Sequence, residues 1–332
     1  MTTPAAIDIH AHFFPEKLFS IVEQRGAQFG GRVERTAKGP VLLVGDTRTP
    51  PLDATYWDLD RRVKEMNRAH VDVHALSLTV PMVYWTDADV GVQLARAVND
   101  AMEQAHRAYP DRFVGCAALP MQDPARALEE LDRVARMKGI RGIYLGTNVG
   151  GRELSDPAFL PVYSRCAEAR LPVLFHPINV IGGQRLQPFY LNNLLGNPFD
   201  TTIAAAHLVF GGVLDRVPKL EVCLPHAGGA LPYLFGRLRR GQRVRPEARD
   251  RAKRPFESYL RRFTYDTISH NAVALDYLVR TVGADRVMLG SDYCFDMGYE
   301  RPRDIVERQL RLAAADRRRI LGGTAARLLR LG

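Results

Sequence analysis

Apolar residues occur along the chain in short, nearly continuous runs, and these runs alternate with stretches in which apolar residues recur every three or four positions. A short apolar run is typical of a strand covered on both faces, and the wider spacing is typical of an amphipathic helix. The pattern predicts strands at residues 7–12, 71–78, 113–119, 140–146, 171–176, 220–226, 263–267 and 286–292. It predicts helices at residues 15–28, 58–69, 87–107, 124–138, 157–169 and 201–216, with closing helices over 300–331.

Eight strands with helices between them in a single series favour a (β/α)8 TIM barrel, an α/β fold with a parallel sheet. The alternative, an open doubly wound sheet, usually has fewer strands and a glycine-rich phosphate-binding turn after the first one, and no G-x-G-x-x-G follows residues 7–12. Glycine-bounded β-rich pieces predict a small β insertion after the first strand, at about 29–50. We therefore expect a single barrel domain over residues 1–332.

The chain is basic, with 46 lysines and arginines against 37 aspartates and glutamates and a formal net charge of +9. Much of the excess is arginine within residues 237–262 and 301–330. Such runs suit either an anionic partner, nucleic acid or a membrane, or solvated helix faces. Acidic residues are interspersed and no aromatic stacking platform accompanies the runs, so we favour solvated faces and expect no nucleic-acid or membrane partner. A small anionic substrate fits the charge equally well.

The four cysteines are widely spaced and form no C-x-x-C pair, which argues against a disulfide framework or a zinc ribbon. Residues 1–6 lack the basic and apolar regions of a signal peptide, and no run approaches the ~18 apolar residues of a membrane span. We therefore expect a soluble protein in the reducing cytoplasm.

The first predicted strand carries two histidines, His10 and His12, separated by one residue. Residues two apart in a strand point to the same face, so both imidazoles project together and can bind one metal ion. The spacing alone is a weak signal, because a pair of hydrogen-bonded strand histidines has the same pattern.

Further polar residues end other predicted strands: His176 the fifth, His226 the sixth and Asp292 the eighth. In a barrel the C-terminal strand ends all face one mouth, where active sites lie. Three imidazoles and one carboxylate suit Zn²⁺ or a similar transition metal with a position open for water or substrate, and such a metal lowers the pKa of bound water towards ~7. His226 is the candidate acid–base residue, because an imidazole titrates near neutral pH.

Four motifs, together with flanking similarity over nearly the whole chain, are specific as a set. They are IDIHAH at 7–12, FHP at 175–177, PHAGGA at 225–230 and GSDY at 290–293, with RFVG at 112–115, LPM at 119–121 and GR at 236–237. The chain resembles the metal-dependent amidohydrolase superfamily and, within it, the branch of 2-amino-3-carboxymuconate-6-semialdehyde decarboxylase.

The resemblance implies that His10, His12, His176 and Asp292 bind one zinc ion. It implies that His226 polarises the metal-bound water and that Asp292 also shuttles a proton. The fourth strand supports a single metal, because residues 144–146 offer no lysine or glutamate to bridge a second ion. Mn²⁺ is compatible with the same ligands.

Three further residues are candidates for substrate binding. Arg237 matches an arginine that in the decarboxylases reaches the substrate carboxylate of the neighbouring subunit, which implies a homodimer; a surface role beside Arg239 and Arg240 is the alternative. Arg48, in the insertion, is the nearest candidate for the family's second substrate-binding arginine. Trp85 is placed to line the site of an aromatic or unsaturated substrate, and core packing is its alternative.

Two other positions are weighed between a functional and a structural role. Asp266, at the end of the seventh strand, is a candidate to orient a metal ligand. His270 lies near a helix and is interpreted as structural or solvated.

The leading hypothesis is a metal-dependent non-oxidative decarboxylase of a small unsaturated or aromatic carboxylic acid, using metal-bound water and a histidine acid–base. The first alternative is a metal-dependent hydrolase of a lactone, ester or amide on the same scaffold. A non-catalytic, metal-bearing binding protein is the second alternative.

Overall fold

The computed structural model describes residues 4–331 and contains an eight-stranded parallel sheet. Each strand pairs with the next along the chain, and hydrogen bonds from Ile9 N to Leu289 O and from Asp292 N to His10 O, both 2.9 Å, join the last strand to the first. The predicted (β/α)8 TIM barrel is therefore confirmed. The barrel strands are β1 (Ile7–His12), β2 (Val73–Ser77), β3 (Phe113–Ala118), β4 (Ile140–Gly146), β5 (Val173–His176), β6 (Val222–Leu224), β7 (Phe263–Asp266) and β8 (Val287–Met288).

Helices surround the barrel. They are α1 (Glu16–Arg25), α2 (Leu59–Ala69), α3 (Ala88–Ala108), α4 (Pro124–Val134), α5 (Leu160–Ala169), α6 (Asn197–Phe210), α7 (Val213–Arg216), α8 (Leu231–Val244), α9 (Phe256–Tyr259), α10 (Ala272–Val282), α11 (Ala314–Arg318) and α12 (Thr324–Leu329). Short π-helical segments lie at Asn192–Gly196, Ile305–Gln309 and Arg319–Gly323. None of the helices in the described part of the chain has the length and apolarity of a membrane-spanning segment.

The last strands are shorter than the apolar pattern predicted. Pro225 follows β6 and has no N–H to donate to a ladder, and His226 turns away with a positive φ of 52°. After β8, Asp292 also has a positive φ, 63°. The two strands end early because these side chains leave the ladder for the barrel mouth.

The insertion after β1 is a three-stranded antiparallel sheet within the predicted stretch 29–50. Its strands are Gly31–Thr36, Gly39–Val44 and Thr47–Arg48. It packs closely on the loop after β2, because a Cβ on Gly31 would come within 2.3 Å of the Trp85 ring.

The longest helix, α3, shows how the outer layer is held to the barrel. Asp87 caps its N-terminus by accepting a hydrogen bond from the backbone N–H of Val90 at 2.8 Å. Leu94, Val98 and Met102 recur at helical spacing and are at most 1% exposed. Burying each such side chain contributes about 1.5–3 kcal/mol.

A buried polar network links α3, α4 and β3. Asn99 donates to the carbonyl oxygen of Ala118 at 2.9 Å and to Glu130 at 2.8 Å, and it accepts from the backbone N–H of Ala118 at 2.8 Å. Glu130 also accepts hydrogen bonds from Arg133 at 2.6 and 2.8 Å. Because Glu130 is fully buried, its carboxylate depends on these partners.

Candidate metal centre

Four potential metal ligands meet at the C-terminal mouth of the barrel. His10 and His12 lie at the end of β1, His176 ends β5, and Asp292 lies four residues after β8. One donor atom from each lies within 4.8 Å of the corresponding atom of every other, and all four residues are buried. The structure therefore brings together the four residues predicted as ligands.

The hydrogen bonds of the three imidazoles fix which ring nitrogen faces the centre. His10 Nδ1 donates to Asp266 Oδ2 at 2.8 Å, and His176 Nδ1 donates to the carbonyl oxygen of the following residue at 2.9 Å. His12 Nδ1 lies 3.3 Å from Ser77 Oγ. A carboxylate or carbonyl oxygen only accepts, so Nδ1 carries the hydrogen in His10 and His176, and their Nε2 atoms present lone pairs to the centre. Ser77 Oγ donates to the carbonyl oxygen of Ala11 at 3.4 Å, so the same tautomer fits His12.

The close approach of these lone pairs is electrostatically unfavourable unless a cation lies among them. His10 Nε2 and His12 Nε2 are 3.0 Å apart, and Asp292 Oδ1 lies 3.0 Å from His12 Nε2 and 3.5 Å from His10 Nε2. Such closely spaced donor atoms are stabilised by a positive charge among them. Three neutral imidazoles and one carboxylate are a donor set typical of Zn²⁺ and compatible with Mn²⁺, so the residues fit one divalent metal.

The pKa values of three ligands favour the metal-binding forms. Burial lowers the pKa of His12 to about 4, and burial with the neighbouring imidazoles lowers the pKa of His176 well below its usual range. Although burial alone would raise it, the bond to His12 and the charge of His10 lower the pKa of Asp292. His10 differs: burial alone would lower its pKa, but the bond to Asp266 and the nearby carboxylates raise it.

His226 lies beside the four ligands. Its Nε2 is 3.9 Å from Asp292 Oδ2, and its ring centroid is 5.4 Å from that of His10. Its Nδ1 is buried and has no hydrogen-bond partner within residues 4–331. Burial lowers the pKa of His226, so the ring stays neutral and able to accept a proton near neutral pH. This geometry suits the predicted acid–base role.

Asp266 connects His226 to the centre and takes the orienting role that was left open for it. It is fully buried and accepts hydrogen bonds from the backbone N–H of His226 at 3.0 Å and of Ala227 at 2.8 Å. The same carboxylate accepts from His10 Nδ1. One side chain thus orients a ligand and the loop that carries the candidate acid–base residue.

Sequence reasoning missed two other buried residues that support the centre. Asp8 accepts hydrogen bonds from the backbone N–H of His10 at 3.0 Å and of Ser291 at 3.1 Å, and burial raises the pKa of Asp8 to about 6. Arg62 is fully buried and donates to the carbonyl oxygen of His12 at 2.5 Å. The only sequence signal at Asp8 is a charged residue within the alternating polar and apolar residues of a strand that is expected to be buried. Arg62 lies on a helix face where arginine is normally solvated.

The fourth strand contributes an aromatic ring in place of a second-metal ligand. The ring centroid of Tyr144 lies 6.1 Å from those of His12 and His176 and 6.3 Å from that of His10. Tyr144 is buried, and burial raises the pKa of its hydroxyl well above the usual range, so it stays neutral. The geometry supports a single metal site.

A cavity of about 840 Å³ opens at this mouth and is lined by His226 and Asp292. Its remaining wall is formed by residues within 193–198, 227–233 and 268–278 and by Met297. These segments combine apolar side chains with amides and hydroxyls. Sequence reasoning missed this wall, including His270, because loop and helix-end residues carry no periodic signal.

Arg237 does not line the cavity of its own chain. It is exposed on α8, one helical turn after Tyr233, which does line the cavity. It forms no salt bridge with any residue in 4–331. Tyr233 and Arg237 therefore share an exposed face of α8 beside the mouth.

Arg48 and Trp85 also lie away from the cavity wall. Arg48 is exposed on the last strand of the insertion and pairs with Glu34 at 2.9 Å. Trp85 donates from Nε1 to the carbonyl oxygen of Met82 at 3.2 Å, and its ring packs against Gly31. The structure of one chain thus places Trp85 in packing between the insertion and the barrel.

Comparisons with known proteins agree with this site. A family model described as amidohydrolase matches residues 7–331. The chain is 34% identical to the 2-amino-3-carboxymuconate-6-semialdehyde decarboxylase of Dictyostelium discoideum over 98% of this chain and 91% of that protein. It is 29% identical to a gamma-resorcylate decarboxylase of Polaromonas sp. over 90% of this chain and 95% of that protein.

Among solved structures, the 5-carboxyvanillate decarboxylase of Sphingomonas paucimobilis superposes with a TM-score of 0.84 at 25% identity, covering 99% of both chains. The family match, the relatives and the shared fold all span nearly the whole chain. The protein therefore belongs to the amidohydrolase superfamily, in the branch that contains 2-amino-3-carboxymuconate-6-semialdehyde decarboxylase.

Proposed function

We propose that this protein is a metal-dependent non-oxidative decarboxylase, a carbon–carbon lyase, that acts on a small unsaturated or aromatic carboxylic acid. One observation carries the proposal: a three-histidine, one-carboxylate centre lies beside a neutral, largely buried His226 in the wall of a largely apolar cavity. The relatives named above are decarboxylases of unsaturated or aromatic acids, which supports the same class of reaction.

The residues divide the work of the reaction. The metal would be held by His10, His12, His176 and Asp292. When bound, it would act as a Lewis acid that polarises the substrate carboxylate and the group that donates the proton. His226 holds and releases a proton at Nε2, close to Asp292. A proton added to the substrate carbon replaces the carboxyl group, which leaves as CO₂.

The finer assignments rest on separate arguments. We propose zinc as the native metal because the donor set is the one typical of zinc, with Mn²⁺ as the second candidate. We propose a homodimer in which Arg237 of a second copy reaches the substrate carboxylate, because Arg237 is exposed beside the mouth and has no acidic partner within residues 4–331. We propose a cytoplasmic location because all four cysteines are free.

Arg48 and Trp85 are assigned more distant parts in substrate binding. Trp85 packs between the insertion and the barrel, and Arg48 pairs with Glu34 inside the insertion, so we propose that they act by positioning the insertion and not by touching the substrate.

Sedimentation velocity tests the dimer, and mixing inactive His226→Ala with inactive Arg237→Ala tests sharing of the site. Regained activity in the mixed dimers supports the shared site, and none regained counts against it.

The reaction itself is tested with enzyme loaded with Zn²⁺ or with Mn²⁺ and a panel of unsaturated and aromatic acids. Released CO₂ and solvent deuterium at the vacated carbon are the expected products. A matched panel of lactones, esters and amides in ¹⁸O water tests hydrolysis. No CO₂ from any acid, together with ¹⁸O in a hydrolysed product, would overturn the proposal in favour of a hydrolase.

A further inference from the structure

The cavity wall beyond the metal centre is rich in neutral groups. Of the cavity-lining residues in the described part of the chain, none is a lysine, arginine or glutamate. Its polar members away from the centre include three amides, Asn193, Asn197 and Asn271, and one imidazole, His270. Each of these groups both donates and accepts hydrogen bonds, whereas a cation only donates.

His270 stands on a rigid loop at the end of β7. Two residues earlier, the backbone N–H of Ile268 donates to Asp266 at 3.0 Å. The N–H of His270 itself donates to the hydroxyl of Tyr299 at 2.7 Å, and the two rings pack with centroids 4.7 Å apart. Tyr299 is in turn bonded through its N–H to the carbonyl oxygen of Ser291 at 2.7 Å. The loops that carry Asp266 and Asp292 therefore fix the position of His270.

The side chain of His270 remains accessible from the cavity. The residue is exposed, its φ is 51°, and no salt bridge within residues 4–331 engages its ring. His226 and His270 line the same cavity. A ligand that lies against His226 thus has His270 within the same cavity.

We propose that His270 is a specificity-determining residue that hydrogen-bonds a ring hydroxyl of the substrate, with Asn193 and Asn197 as further partners on the wall. This inference rests on the proposed decarboxylase function and narrows its substrate to a hydroxy-substituted aromatic acid. A hydroxyl both donates and accepts, so it matches an imidazole and two amides. A second carboxylate on the ring would find no lysine or arginine among the residues of its own chain that line this wall.

The test compares benzoate with its 2-, 3- and 4-hydroxy derivatives and with isophthalate, using metal-loaded enzyme. His270→Leu should lower the ratio of kcat/KM for the preferred hydroxybenzoate over benzoate by about tenfold or more, because the substrate hydroxyl then lacks a partner. His270→Gln should restore part of that ratio, and isophthalate should be a poor substrate. His207→Leu is the control, because His207 does not line the cavity and should leave the ratio unchanged.

Equilibrium binding of the same acids, measured by calorimetry, separates this inference from the proposed function. If no acid releases CO₂ but His270→Leu still lowers the affinity for hydroxybenzoate relative to that for benzoate, the decarboxylase function is refuted and the role of His270 is supported. If CO₂ is released and the ratio is unchanged in His270→Leu, or isophthalate is preferred, the role of His270 is refuted. An equal loss on benzoate and hydroxybenzoate also refutes it, because that pattern indicates a purely structural role.

Discussion

Replacing Asp266 by asparagine should weaken metal binding although Asp266 touches no metal. The carboxylate accepts four hydrogen bonds: from His10 Nδ1 at 2.8 Å and from the N–H groups of His226 at 3.0 Å, Ala227 at 2.8 Å and Ile268 at 3.0 Å. Two of these reach Oδ1 and two reach Oδ2. An asparagine of the same shape has one oxygen, so it can serve only one pair.

If the asparagine oxygen keeps Ala227 and Ile268, its NH₂ group faces the N–H groups of His10 and His226. Leaving a buried donor unpaired costs about 1–3 kcal/mol. His10 can avoid the clash by moving its proton to Nε2, but Nε2 is the atom that faces the metal. We therefore expect metal affinity to fall about 10–100-fold, which corresponds to about 1.4–2.7 kcal/mol.

The assay is a competition titration with a chelator, alongside circular dichroism to confirm that the variant is folded. Thr79→Val is the matched control, because Thr79 Oγ1 lies 3.0 Å from His176 Nδ1, yet that nitrogen retains the carbonyl oxygen of Pro177 at 2.9 Å. We expect this control to change affinity by less than about threefold, since one acceptor is enough to hold the tautomer. The reasoning is refuted if Asp266→Asn binds metal as tightly as the unmodified protein, or if Thr79→Val weakens binding more.

Three further outcomes follow from other contacts. Burial lowers the pKa of His226, so the decrease of kcat/KM on the acid side of a pH–rate profile should lie below pH 6.5. In the residual activity of His226→Asn, this decrease should be absent. Glu130→Ala should lower the free energy of unfolding in urea by about 2–3 kcal/mol, because it removes the buried acceptor of one Asn99 amide hydrogen and of two Arg133 nitrogens. Glu129→Ala, at an exposed carboxylate, should change the same free energy by less than about 0.5 kcal/mol. Burial alone would lower the pKa of His10, but nearby carboxylates raise it. Protonation of His10 competes with the metal, so apparent metal affinity should fall about tenfold per pH unit below that pKa. Chelator competition from pH 8 to 5 measures this fall.

The barrel was predictable because its signal is repeated eight times. Buried strands such as residues 140–146 have nearly continuous apolar runs, and most of them are followed by helical spacing. The helix at 231–244 escaped prediction because its second half is arginine-rich and only Leu231, Pro232 and Gln242 are buried in it. A helix that contributes so little to the core leaves a weak apolar pattern.

The meeting of the four candidate ligands was predictable because strand geometry fixes where their side chains point. His10 and His12 share a face by the two-residue period, and His176 occupies a strand end that must open on the mouth. The supporting contacts were not predictable in the same way. Arg62 reaches the carbonyl oxygen of His12 from a helix 50 positions away, and no local pattern indicates that approach.

The residues assigned to the chemistry of the site and those assigned to its selectivity also lie on different parts of the fold. The candidate metal ligands lie at strand ends or just after them, whereas loops and helix ends supply the cavity wall, so the wall can change its side chains without moving the candidate ligands. Asp266 is the exception, because it ends β7, holds His10, and also holds the loop that leads to His270. A substitution at His270 should therefore alter selectivity alone, while one at Asp266 should alter metal affinity and selectivity together.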